Sequence, residues 1–284
     1  ASKNCGQNGF RLFHADIEKK LSDRKRLESE LSMMIANETF EMWMQPILDS
    51  KTGKLFSLEV LSRWFHPVLG AIPPTTFIAL AESTRKIALF DRAVIRKASA
   101  ALSQLRKNYP ELKVCINISA ATLIEDEICE YIGAMLIQYA LPKNVMLFEI
   151  TETMLATDKS RLETNINCLR AIGVQFLIDD FGTGYSSLSR LSDLSLDYVK
   201  IDKEFLKSLN TGDNHICNTI IKLAHSLDME VIAEGVETET QHQRLINLGC
   251  NYVQGFKFAK PMNEALLAEY LDTLTKKMLI KRVD

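Results

Sequence analysis

Polar side chains recur within or at the ends of short apolar runs along this chain. In order they are Gln45, Glu59, Asn117, Glu149, Asp179 with Asp180, Lys200, Glu234 and Gln254. One such residue is commonly a strand end meeting solvent. The repetition, mostly with carboxylates, calls for another reason. Carboxylates converging on one mouth repel each other unless a cation neutralises them. An oxygen-rich set without a histidine or cysteine cluster suits Mg²⁺ or Mn²⁺ rather than zinc. With room for two ions, such a site suits in-line attack of water on a phosphodiester. Lys200 would fix the water or stabilise developing charge. Arg63, four residues after Glu59, carries a planar fork that suits a phosphate oxygen. A rim salt bridge is an equal reading of that spacing.

These residues need a frame that brings them together. From residue 40 onward, "FEMWMQPIL", "LFSLEVLSRW", "KVCINIS", "VMLFEIT", "VQFLIDD", "DYVKID", "EVIAEG" and "YVQGFKF" alternate with segments of helical spacing such as 91–108, 158–172 and 214–228. Eight strands alternating with helices predict an α/β fold, a (β/α)8 barrel whose site lies at the C-terminal ends of the strands. Only about six residues, with Gly53 among them, separate the first two runs. A parallel crossover needs a dozen or more, so the first strand is expected to be antiparallel, in a hairpin with the second. Residues 15–36 carry Ile17, Leu21, Leu27, Leu31, Met34 and Ile35 on one face of a charged helix. That helix packs on the domain or connects it to something upstream. The division expected is a linker helix region over 1–37 and the barrel over 38–284.

Composition narrows the classes. The net charge of −2 comes without a polybasic run, which argues against a long nucleic acid or a membrane surface as partner. No run of 18 apolar residues exists and no signal peptide is visible, so a cytoplasmic location is expected. The cytosolic part of a membrane-anchored protein also fits, because a start at Ala-Ser-Lys reads as a fragment of something longer. None of the six cysteines forms a CxxC pair. Cys115 and Cys168 read as small core residues in a reduced chain, while an even count leaves disulfides open.

The ordered blocks resemble the EAL domain family, phosphodiesterases that linearise cyclic di-GMP. "MQPIL", "EVLSRW", "INIS", "FEITET", "DDFGTGYSSL", "DYVKID", "AEGVET" and "QGFKFAKP" match it in order from about residue 38 to about residue 265. The resemblance implies that Glu59, Asn117, Glu149 and Asp179 hold a first metal. Asp179 and Asp180 bring in a second, and Asp180 also activates water. Lys200 contacts that water, and Glu234 is a further carboxylate at the metals. Glu152 anchors the loop after the aspartate pair. Gln45, Leu61, Ser62, Arg63, Glu237, Gln254, Phe256 and Pro261 fall at substrate-binding positions, together with Asn117, Asp179 and Lys200. Two Mg²⁺ or Mn²⁺ ions, inhibition by Ca²⁺, linear 5'-pGpG as product and a homodimer formed near residues 181–188 are likewise implied. "FRLFHADIEKKLSDRKRLESEL" resembles the junction after a GGDEF-like domain, which would lie upstream. Val60 and Ser62 depart from the family's usual alanine and leucine, outside the inferred metal shell. A receptor that binds the dinucleotide without turnover is the alternative. A barrel using Lys200 as a base over one Mg²⁺ is a third reading.

The stretch "LIDDFGTGYSSL" (177–188) sets a local puzzle. Successive strand residues face opposite sides. Asp179 and Asp180 share a site only if the strand ends between them, and Gly182 and Gly184 permit the turn that follows.

Overall fold

The computed structural model describes residues 7–152, 154, 159–179, 181, 194, 196–212 and 214–280, with side chains described from residue 22 to residue 276. Asp180 and the glycine-serine stretch after Phe181 lie outside the described residues. The chain divides into two compact units: Ala1–Glu41 with Arg63–Ala93, and Met42–Ser62 with Val94–Asp284.

The larger unit is a closed barrel. Its strands are β1 (Glu41–Asp49), β2 (Leu55–His66), β4 (Lys113–Asn117), β5 (Met146–Thr151), β6 (Val174–Asp179), β7 (Tyr198–Ile201), β8 (Glu230–Ala233) and β9 (Tyr252–Val253). Their order is β1-β9-β8-β7-β6-β5-β4-β2, and β2 pairs back with β1. The ladder is parallel from β2 through β4 and round to β9, while β1 runs antiparallel to β9. The hairpin predicted between the first two runs is therefore present. Asp49 Oδ1 accepts from the backbone N–H groups of Lys51 and Thr52, an aspartate turn that folds the chain back within the few residues available. Parallel strands covered on both sides read as continuous apolar runs. β5 is buried at every position except its last, Thr151, and β6 at every position except Gln175 and Asp179.

Helices supply the crossovers. Those used below are α5 (Ile128–Gln138), α6 (Lys159–Ala171), α8 (His215–Ser226) and α9 (Glu239–Leu248). α4 (Ala120–Leu123) and α7 (Lys203–Leu206) are single short turns, and α10 (Glu264–Ile280) ends the described chain. α9 starts on a capping box, in which Thr238 Oγ1 accepts from Gln241 N and Gln241 Oε1 accepts from Thr238 N. The barrel's floor is a buried cluster of Ile47, Cys115, Leu147, Leu177, Tyr198 and Ile232, flanked by Phe56 and Tyr252.

The smaller unit holds α1 (Gln7–Ala36), the end of β2 with a further strand β3 (Gly70–Ile72), α2 (Pro74–Ser83) and the start of α3 (Ile87–Leu105). Leu27, Leu31, Met34 and Ile35 are buried as the apolar stripe requires; the side chains of Ile17 and Leu21 lie outside the described residues. Phe40, Phe90, Phe77 and Trp64 form a chain of tilted and edge-on rings. His66 Nδ1 accepts from the N–H groups of Val68 and Leu69, and its Nε2 lies 2.5 Å from Glu30 Oε2. That contact fixes α1 to the end of β2.

The structure departs from the sequence expectations at four points. The first helix begins at Gln7 rather than residue 15, and β2 carries an extra antiparallel partner, β3, that no pattern announced. The run "YVQGFKF" is a strand only at Tyr252–Val253; just beyond, the backbone of Gly255 lies so close to that of Val236 that a side chain would not fit. Cys168 is not a core residue: it is exposed on α6 and bonded to Cys129 on α5. An exposed helical cysteine and a buried one have the same neighbours in sequence, so local apolarity misled.

Candidate active site

Register decides which side chains meet at the barrel mouth. In the parallel ladder Glu59 lies level with Cys115, Asn117 with Glu149 and Thr151 with Asp179. Asn117 thus stands two residues further along than Glu59, and Asp179 two further than Glu149, a stagger that the Lys200 side chain spans. Lys200, fully buried on β7, points into the middle of them. Its Nζ lies 2.5 Å from Glu149 Oε1, 3.3 Å from Glu234 Oε2, 3.5 Å from Glu59 Oε2 and 3.9 Å from Asp179 Oδ1. Asn117 Nδ2 donates to Glu59 Oε1 at 3.5 Å.

The electrostatics follow from this crowding. Burial acts to strip the proton from Lys200, but the carboxylates, Glu149 foremost, outweigh it and push its pKa well above the usual lysine value. It is an ammonium at any physiological pH. Burial pushes the Glu149 carboxyl up, and Glu59 and Asp179 add to the shift while Lys200 opposes it. Glu234 is raised for the same reasons, burial first. Four acidic side chains crowded round one ammonium are the kind of cluster whose mutual repulsion a bound cation relieves.

Two supporting contacts were not legible in the residue order. Gln254, fully buried, donates through Nε2 to both Glu59 Oε2 (2.5 Å) and Gln45 Oε1 (3.1 Å). Gln45 Nε2 donates in turn to the Ala259 carbonyl, 3.0 Å away. These two amides, expected to bind substrate, tie Glu59 to the segment ahead of Pro261. Cys115 Sγ donates to Glu149 Oε2 at 3.4 Å from the floor below. The signal for it was the alternation of β4, where Cys115 and Asn117 share a face.

The other expected residues take these positions. Glu152 is buried, three residues beyond Glu149. Leu61, Ser62 and Arg63 follow Glu59 along β2 and are half-buried. Glu237 and Phe256 are exposed, and Pro261 is half-buried. Lys260 Nζ lies 5.5 Å from the centre of the Phe256 ring. Asp180 lies outside the described residues.

Among the described residues no three carboxylate, imidazole or thiol groups are gathered tightly enough to cage an ion on their own; the carboxylates face Lys200 instead. The donor chemistry nevertheless fits a hard divalent cation. The donors at the mouth are oxygens, and Asp179 Oδ1 and Gln254 Oε1 are buried there without a hydrogen-bond partner. Asp179 Oδ1 is an orphan of the kind a cation satisfies.

Comparison with known proteins agrees with this geometry. The cyclic di-GMP phosphodiesterase NbdA of Pseudomonas aeruginosa is 35% identical over 273 residues, 95% of this chain and 35% of the relative. The cyclic di-GMP phosphodiesterase RocR of the same organism is 33% identical over 236 residues, 82% of this chain and 60% of the relative. The chain thus spans between about a third and three fifths of the length of these curated relatives. The solved PaMucR phosphodiesterase in complex with c-di-GMP superposes with a TM-score of 0.79 at 32% identity, covering 85% of this chain and 99% of that one. A family profile described as the EAL domain matches residues 28–261. With a barrel of inverted first strand, acidic strand ends around a buried lysine and a family match across most of its length, the chain belongs to the EAL domain family.

Proposed function

We propose that this chain hydrolyses the cyclic dinucleotide c-di-GMP to linear 5'-pGpG in a metal-dependent reaction. The observation that carries the reading is the placement of Glu59, Glu149, Asp179 and Glu234 around Lys200, at the strand ends where a barrel builds its site. The relatives that share these blocks are cyclic di-GMP phosphodiesterases by name.

Glu59, Asn117, Glu149, Asp179, Asp180 and Glu234 would hold two ions, Mg²⁺ or Mn²⁺. When bound, such ions neutralise phosphate charge and acidify a coordinated water. The protein's own part is positional. Gln254 and Asn117 fix the two Glu59 oxygens, and Lys200 and Cys115 fix those of Glu149. The Lys200 ammonium orients the attacking water and stabilises charge on phosphate oxygens. Asp180 takes the water's proton. Water adds to one phosphorus, the P–O3' bond breaks, and the 3' oxygen leaves with a proton as a hydroxyl. Gln45, Leu61, Ser62, Arg63, Glu237, Gln254, Phe256 and Pro261 line the dinucleotide, and Glu152 anchors the segment after Asp179.

Residues 1–37 serve as a linker helix below a GGDEF-like or sensory domain, and 38–284 form the catalytic barrel. A homodimer forms near residues 181–188. A cytoplasmic barrel is part of the same proposal; among the described residues no helix is long and apolar enough to cross a membrane.

Incubation with c-di-GMP and Mg²⁺, followed by chromatography, tests the reading. Formation of pGpG, lost on chelation and suppressed by Ca²⁺, is the expected result. Tight binding with no product at high enzyme concentration would replace it with a non-catalytic receptor.

A further inference from the structure

The five cysteines among the described residues divide into three buried thiols and one bonded pair. Cys115, Cys217 and Cys250 are outside any disulfide, each fully buried. Burial pushes the Cys250 thiol up to about 12 and the Cys115 thiol well above its usual range, so neither presents a thiolate to solvent. Cys129 and Cys168 are different. They are bonded to one another, Cys129 is half-buried, and Cys168 stands exposed on the outer side of α6. Among the described cysteines, these two are the ones that are not buried.

Its place in the fold gives it a consequence. The bond closes a loop of 39 residues that contains all of β5, with Glu149, and Glu152 just after it. It joins α5 to α6, and α6 leads directly through Gly173 into β6, which ends at Asp179. α6 has other anchors on the same side. Asn165 Nδ2 donates to the carbonyls of Leu123 and Glu125, and Arg161 lies 3.2 Å from Asp126. The helix therefore remains docked when the bond opens, with one covalent restraint fewer.

We propose that Cys129–Cys168 is a reversible redox modification site, opened by a dithiol reductant, that sets the rigidity of α6 and the strand it feeds. A reductant thiolate attacks Sγ of Cys168, the more exposed residue of the pair. The Sγ–Sγ bond breaks, and Cys129 leaves with the electron pair and takes a proton from water. The reductant's second thiol then closes its own disulfide and releases Cys168 as a thiol. Two electrons and two protons pass from dithiol to protein, and nothing else is consumed.

Dithiothreitol serves as the probe, on the folded chain, followed by a thiol-alkylating reagent and peptide mapping. Without reductant, residues 129 and 168 stay unlabelled. With millimolar reductant both label while Cys115, Cys217 and Cys250 do not, and removal of reductant under air restores protection. Opening a loop of this size should lower Tm by roughly 5–10 °C in a chain this long. Amide exchange over residues 159–171 should quicken, and neither change should follow reductant in Cys129→Ser/Cys168→Ser. These readouts need no turnover, so they stand apart from the proposed phosphodiesterase reaction. Labelling of both residues without reductant, resistance to millimolar reductant in the folded state, or opening that leaves Tm and exchange unchanged would each overturn the proposal. The wild-type comparison requires no variant to fold.

Discussion

Two lysines point into this barrel from opposite ends, and their surroundings push them in opposite directions. At the C-terminal mouth Lys200 sits among Glu59, Glu149, Asp179 and Glu234 and is raised well above its usual pKa. At the other end Lys113 Nζ lies 4.9 Å from the centre of the Phe56 ring and 3.0 Å from Gln175 Oε1. Burial lowers its pKa, against weaker opposition from Glu230, Asp197 and Glu111. Aromatic rings occupy this end: Phe56 stacks on Tyr252 at 3.8 Å, with Tyr198 tilted against both. One mouth is built from groups that are unstable together and calls for a ligand. The other is plugged with groups that satisfy one another. Conserving the fold needs only the second arrangement; the first is what function adds to a barrel.

The largest expected contrast is between Lys200→Met and Lys113→Met. Lys200→Met should lower turnover by roughly 10²–10⁴-fold. It should also destabilise the chelated protein by roughly 3 kcal/mol, because four carboxylates lose their shared counter-charge. Lys113→Met should leave turnover within about twofold, as expected of a distant, independent site. It should hold or raise Tm. Steady-state assays and melting curves on the pair decide it; equal losses of turnover would erase the distinction between the two mouths.

Next in size is Glu59→Gln. Turnover should fall by roughly 10²–10³-fold, since electrostatic positioning groups contribute about that much. Melting temperature in chelator should stay level or rise, because one repelling charge has gone and the amide still meets Gln254. A sharp fall in Tm would make Glu59 a structural residue first.

Alkaline pH sharpens the comparison further. Lys113 is lowered in the folded chain, so the unfolded chain binds more protons between the folded pKa and the ordinary lysine value of 10.5. Its contribution to stability therefore improves as pH rises through that window. Lys200 is raised, so its contribution is complete below 10.5 and is lost only as pH climbs through the higher folded value. The Tm difference between wild type and Lys113→Met should move in favour of wild type from pH 8 to 10.5. The difference between wild type and Lys200→Met should stay flat. Identical pH slopes for the two variants would contradict the opposed shifts.

The smallest effect belongs to Tyr252→Phe. Its hydroxyl donates to Glu230 Oε2 at 3.1 Å. Removing one such bond at a partly exposed edge should change stability by roughly 0.5–1.5 kcal/mol with no change in turnover. A larger loss would mean that the plug does more than close the barrel.

The alternation of apolar runs and helical segments determined the eight strands, and six residues between the first two runs determined the inverted β1. Both follow from local rules, since strand period and minimum crossover length leave few alternatives. The polar residues at strand ends were equally visible, because each interrupts an apolar run. What the sequence could not supply was depth and partnership. It did not tell that Gln254 and Gln45 turn on Glu59 and Ala259, or that Cys115 supports Glu149 from below. It misplaced Cys168, whose outward direction and bond to Cys129 depend on how α5 and α6 pack. Periodicity fixes which face of an element a residue occupies. Only the assembled tertiary structure fixes which other face, tens or hundreds of residues away, it meets.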